Sequence, residues 1–233
     1  MPPIDDLLGD IFGEARPAFY GEFEGWLRAS RRFQTFAGDY RSKIRAKLRR
    51  AAGAEGHDDV RAELETAFLL LHEKQFTLEY EKYAAAKQRG PDFTVTFKTH
   101  TPFNVEVRRL RALELDEATG DDRLGKLITV LADKVRQMPP SIPNLLWLVA
   151  GVGIAGAELE AAALSLRLAA ERKDEAFFTR RGFVSAAAFL KQFPRLSGIV
   201  SRTPPGFVLW LNPIARHPAP PSIARAIERL PSA

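Results

Sequence analysis

Two stretches decide the reading: Gly90-Pro91-Asp92-Phe93-Thr94-Val95-Thr96-Phe97 and Phe103-Asn104-Val105-Glu106-Val107-Arg108-Arg109-Leu110. In both, apolar side chains recur at every second position, the period of a strand with one buried face. Lys98–Pro102 between them reads as a turn, so the two strands form an antiparallel ribbon. Pairing Phe97 with Phe103 makes the numbers of paired residues sum to 200, which sets Thr94 against Glu106 and Asp92 against Arg108. Phe93, Val95, Phe97, Phe103, Val105 and Val107 then share the core face, and Asp92, Glu106 and Arg108 cluster on the other.

Working outward, Phe76–Tyr80 alternates in the same way and adds a third strand. Before it, residues 58–73 carry Leu64, Ala67, Phe68 and Leu71 at helical spacing, with Asp58 or Asp59 as the cap. After the ribbon, a helix runs from Asp121 or Asp122 to about Met138. It buries Leu124, Leu127, Ile128, Leu131 and Val135, and Pro139-Pro140 ends it. Asn144–Ala150 is apolar almost throughout, the mark of a strand covered on both faces, and the helical crossover before it makes that strand parallel.

The chain is therefore expected to be α/β, a mixed sheet flanked by helices. Residues 4–50 read as helices and Ala52–Gly56 as a break. Beyond residue 157 come a helix, a helical patch at Val184–Gln192, strands near Gly198–Ser201 and Phe207–Leu211, a proline-rich linker from His217, and a helix at Ile223–Leu230. Three parts result: a helical extension at 1–56, a core at 57–156 and a mixed C-terminal part at 157–233, packed on the core.

With 233 residues, 45% of them hydrophobic, the chain can bury a full core, which excludes a disordered or fibrous protein. The lack of cysteine excludes disulfides, thiolate metal sites and a cysteine nucleophile. No apolar run reaches the ~20 residues of a membrane span. The acidic opening does not resemble a signal peptide, so a cytoplasmic protein is expected.

The net charge of +5 is unevenly spread: residues 1–25 carry −5 and residues 26–50 carry +8. Arg41, Lys43, Arg45, Lys47, Arg49 and Arg50 make the helix of that second segment a candidate grip for nucleic-acid phosphates. A solvated helix face that offsets the acidic leader is the other reading.

Two carboxylates on neighbouring strands can share a hard divalent cation such as Mg²⁺ or Mn²⁺, which takes oxygen ligands and keeps several waters. Such an ion lowers the pKa of a water and stabilises charge building on a phosphate.

Gly90-Pro91-Asp92-Phe93 followed by Asn104-Val105-Glu106-Val107-Arg108 resembles the PD-(D/E)XK nuclease motif. The order of elements over residues 58–150 resembles that superfamily's restriction-endonuclease-like core. The resemblance implies metal-dependent phosphodiester hydrolysis on DNA, with Asp92 and Glu106 as metal ligands and Arg108 at the position of the family's lysine. It also implies a further acid from the preceding helix. Glu63 and Glu65 flank that helix's apolar stripe, and Glu65 is the one favoured. Some relatives use a Gln or Lys from the following helix, where Lys134 and Gln137 stand. A nucleic-acid partner and a homodimer are the expected associations.

Arg108 departs from the motif. A guanidinium stays protonated and cannot exchange a proton with water, though it can clamp a phosphate bidentately. The alternative is thus a catalytically degenerate nuclease-fold protein that binds nucleic acid or a protein partner without cleavage. Gly151–Gly156 spells GxGxxG, but Glu158 and Glu160 open the next helix and would repel a pyrophosphate. His57, His72, His100 and His217 lack metal-ligand spacing, His100 reading as an exposed turn residue. Trp147 and Trp210 read as core.

Overall fold

A computed structural model describes residues 2–83, 90–111, 120–151, 153–203 and 206–231. The first four helices are α1 (Ile4–Phe12), α2 (Tyr20–Ala29), α3 (Arg31–Arg50) and α4 (Gly53–Leu70). Three strands follow, β1 (Phe76–Tyr80), β2 (Phe93–Phe97) and β3 (Thr101–Leu110), then α5 (Gly120–Val135) and β4 (Asn144–Ala150). The chain continues through α6 (Gly156–Glu171), α7 (Glu175–Arg180), α8 (Ala186–Gln192), β5 (Leu196–Thr203), β6 (Gly206–Leu211) and α9 (Pro221–Glu228). The six strands form one open sheet in sequence order, an α/β arrangement. β1, β2 and β3 are antiparallel neighbours, β3–β4 and β4–β5 are parallel, and β6 closes the sheet antiparallel to β5. Among the described residues no helix is long and apolar enough to cross a membrane.

Strand alternation divides the core in two. Phe93, Val95, Phe97, Phe103, Val105 and Val107 join Leu145, Trp147 and Val149 on one face, under α1–α4 and α9. Leu146, Leu148 and Ala150 face the other way, with apolar residues of α5, α6 and α8. On that second face β1, β2 and β3 carry polar residues instead: Thr77 and Glu79, Thr94 and Thr96, then Asn104, Glu106 and Arg108. Apart from Leu110 at the end of β3, the apolar helix residues on this face therefore bury against β4 and β5 and not against β1–β3. This asymmetry leaves a polar floor in the sheet.

Part of that floor is a buried ladder. The Thr94 hydroxyl donates to Asn104 Oδ1 (3.0 Å), and Asn104 Nδ2 donates to Asn144 Oδ1 (2.9 Å). Asn144 Nδ2 in turn reaches the carbonyls of Pro139, Ile142 and Arg195. Three strands are pinned in register by side chains whose polar groups find partners, as burial demands.

The ribbon register differs from the expected one. Phe93 pairs with Val105 and Phe97 with Thr101, so paired numbers sum to 198. Face parity survives because the slip is two residues. The position of Asp92 now falls opposite Glu106, not Arg108. The strand starts at Thr101 because Pro102 is tolerated there: β4 joins β3 only from Asn104, so Pro102 has a strand neighbour on one side alone.

The turn itself holds Lys98 at φ 50 and Thr99 at φ 70, with the His100 N–H donating to Phe97 O (3.4 Å) and His100 exposed. Threonine is β-branched and ill-suited to positive φ. Replacing Thr99 with Gly should raise stability by about 1 kcal/mol. Equilibrium urea unfolding measures it, and a loss of stability would contradict the strain.

α4 begins earlier than the helix expected at residue 58. Gly53, at φ +64, lets the chain turn into it, and only Ala51-Ala52 forms the break. Asp58 and Asp59 are not caps; they flank Arg109 of β3 at 3.5 and 2.9 Å.

Candidate active site

Asp92 stands just before β2, at the edge of the polar floor. One carboxylate oxygen accepts the backbone N–H of Val107 at 2.8 Å, which ties the aspartate to β3 beside Glu106. The other lies 3.5 Å from Lys47 Nζ. Glu106 is 5% exposed and points to the α5 side of the sheet, where the Lys134 ammonium donates to its Oε1. Lys47 comes from α3, on the opposite side. Its Nζ meets Glu63 of α4, Glu81 (3.2 Å) and Asp92, so three carboxylates surround one ammonium. The Tyr80 hydroxyl donates to Glu63 Oε2 at 2.9 Å. Asp92 thus joins two ion-paired groups, one from each layer of helices.

The electrostatics record an excess of negative charge. Burial, then the neighbouring Asp92 charge, pushes the Glu106 carboxyl up to about 7 against the pull of Lys134 and Lys47. Burial and Asp92 push Glu63 up to about 8, opposed by Lys47 and the Tyr80 hydroxyl. Burial alone would depress Lys47, but Glu63, Asp92 and Glu81 outweigh it and raise its pKa. Burial and the same three acids raise Tyr80. Four carboxylates (Glu63, Glu81, Asp92, Glu106) face two ammoniums (Lys47, Lys134), a formal charge of −2 when all are ionised.

Of the residues expected from the sequence, Asp92 and Glu106 come together. Glu65 does not join them: its carboxylate turns to Arg202 of β5 (2.6 Å) and Arg61 (3.7 Å), and Glu63 takes the place beside Asp92. Arg108 shares the face of Glu106 and pairs in register with Leu148; among the described residues its side chain makes no hydrogen bond or ion pair. Lys134 is brought into the site, whereas Gln137 lies beyond the end of α5.

The basic helix is divided. Lys43 donates to the carbonyls of Tyr80 (2.7 Å) and Glu81 (3.3 Å), and Lys47 enters the carboxylate cluster. Arg41 lies 3.5 Å from Asp10, and Arg45, Arg49 and Arg50 are exposed. The helix that follows the glycine loop carries an acid at its N-terminus. Glu158 accepts the N–H of Ala155 (2.8 Å) and pairs with Arg123 (2.6 Å).

Motif reasoning singles out neither Tyr80 nor Glu81, ranks Glu63 behind Glu65, and assigns Lys47 to phosphate. Lys43 and Lys47 do directly precede the buried Ile44 and Leu48, which was the available signal that this edge of α3 turns inward.

Among the described residues no group of three or more His, Cys, Asp or Glu is placed to hold a metal ion. The pair Asp92 and Glu106 supplies hard oxygen donors, and Mg²⁺ needs only one or two carboxylates because it keeps its waters. The pair fits such an ion in donor chemistry, while Lys134 and Lys47 already stand on the two acids. Comparison of the chain with protein-family models, curated proteins and solved structures finds no match.

Proposed function

We propose that the chain is a metal-dependent nuclease hydrolysing phosphodiester bonds in DNA on a restriction-endonuclease-like core, in a cytoplasmic setting that suits a cysteine-free sequence. The observation that carries the reading is the charge imbalance. A partly buried cluster that would carry two negative charges in excess if fully ionised, and that instead has two carboxyls driven toward neutrality, favours a divalent cation in place of those protons. Asp92 and Glu106 would hold it. Bound there, Mg²⁺ or Mn²⁺ supplies a water of lowered pKa and stabilises charge on the scissile phosphate. Lys134 Nζ, already on Glu106, positions a proton donor at that carboxylate, which makes it a better counterpart of the family's lysine than Arg108. Arg108, unpaired among the described residues, is suited to clamping a phosphate oxygen.

Plasmid incubated with the protein and Mg²⁺ or Mn²⁺ should be nicked or cut, and chelation should stop it. A second reading, a nucleic-acid binder without cleavage, is favoured by the lysines: Lys47 and Lys134 already supply cations to the acids. DNA retention in gel shift that is indifferent to metal, with no cutting, would select it.

A further inference from the structure

A second concavity lies on the other side of α3. A pocket of about 380 Å³ opens between that helix and the Gly13–Pro17 connection of α1 to α2. Its floor is apolar, from the buried Ile11, Phe12 and Leu48. Its mouth is cationic: Arg45 and Arg49 of α3, with His57 of α4 beside them. The two arginines are four residues apart, hence adjacent on one helix face, where like charges repel. Among the described residues neither has an acid partner, and both are exposed. The negative end of the helix dipole favours a cation at Arg49, in the last turn, but does not account for Arg45. Glu14 stands on the rim as the single acid among the lining residues.

From this we propose that the pocket binds a phosphomonoester carried on a flat or apolar body, of nucleotide size. Two guanidiniums on one face can fork a phosphate dianion, which relieves their mutual repulsion. A cavity of this volume holds a small molecule, and its apolar floor takes the part of the ligand that is not charged. Lys47 lies two residues from both arginines, about 200° around the helix, so this pocket and the carboxylate cluster use opposite faces of α3. The proposal does not rest on the nuclease reading. The phosphate belongs either to a free nucleotide or to the 5′ end of a strand.

Titration calorimetry with thymidine 5′-monophosphate and with thymidine tests the phosphate. The monophosphate should bind at least roughly tenfold tighter. That difference should vanish in R45Q/R49Q and persist in Asp92→Asn. Ala15→Trp, which fills the mouth from the connecting loop, should weaken both ligands. Equal affinity for the two ligands, or unchanged monophosphate binding in R45Q/R49Q, would overturn the proposal. A 5′-phosphorylated oligothymidylate binding tighter than the monophosphate would assign the pocket to a strand end; equal or weaker binding would assign it to free nucleotide.

Discussion

Asp92→Asn should reduce metal-dependent cleavage by roughly three orders of magnitude, about 4 kcal/mol of transition-state stabilisation, with the fold intact. The substitution keeps the acceptor that meets the Val107 N–H but removes the charge placed between Glu106 and Lys47. Glu106→Gln should behave alike. Lys134→Met should also inactivate, because Lys134 is the ammonium in contact with Glu106, whereas Arg108→Gln should weaken substrate binding more than turnover. Single-turnover cleavage with circular-dichroism melts separates chemistry from folding. Full activity in Asp92→Asn would end the hydrolytic reading. An inactive Arg108→Gln beside an active Lys134→Met would restore the motif's own position as the one that matters.

These assignments differ from those the sequence supports alone, and the differences have physical sources. Alternation in β2 and β3 carried the face of every side chain correctly, since parity depends only on the two-residue period. Register depends on turn length, and reading Lys98–Pro102 as the turn starts the strand at Phe103, two residues later than Thr101. That two-residue slip is what separates an Asp92–Arg108 pairing from an Asp92–Glu106 one. Glu63 and Glu65 illustrate a second limit. They flank the same helical stripe, so choosing between them needs the tilt of α4 over the sheet, which is set by packing across many residues. Lys47 shows a third. A run of basic residues reads as one surface, but on α3 it is divided by Ile44 and Leu48 into an inward edge and an exposed one. The polar floor, by contrast, was present in the sequence: Asn104, Glu106 and Arg108 alternate with core residues.

Glu63→Gln should stabilise the protein by a few kcal/mol at pH 8 to 9 while changing little at pH 4 to 5. The sign follows from proton counting. Unfolded, the carboxyl titrates near ~4.3; folded, burial and Asp92 push it up to about 8. Between those values the native state holds a proton that the unfolded state has released. The contribution is therefore fully present below the unfolded pKa and is lost as pH rises toward 8. Glu106, pushed up to about 7, acts in the same direction over a narrower window. Lys47 does not offset this, because its raised pKa lies above the range and it stays charged throughout. A neutral amide at position 63 can still accept from Tyr80, and Lys47 retains Glu81 and Asp92, so the variant escapes the penalty without opening the cluster. Removing the cation instead, in Lys47→Met, should destabilise, and more at pH 8 than at pH 5, because three acids then face one another. Urea unfolding of the three proteins across pH measures both slopes. Mg²⁺ should supply the same relief from outside: it should raise the melting temperature of the wild type at pH 8 far more than at pH 5, and release protons on binding. A wild type indifferent to Mg²⁺ at pH 8, with Glu63→Gln no more stable than it, would mean that the surplus charge is settled within the chain and that no metal is called for.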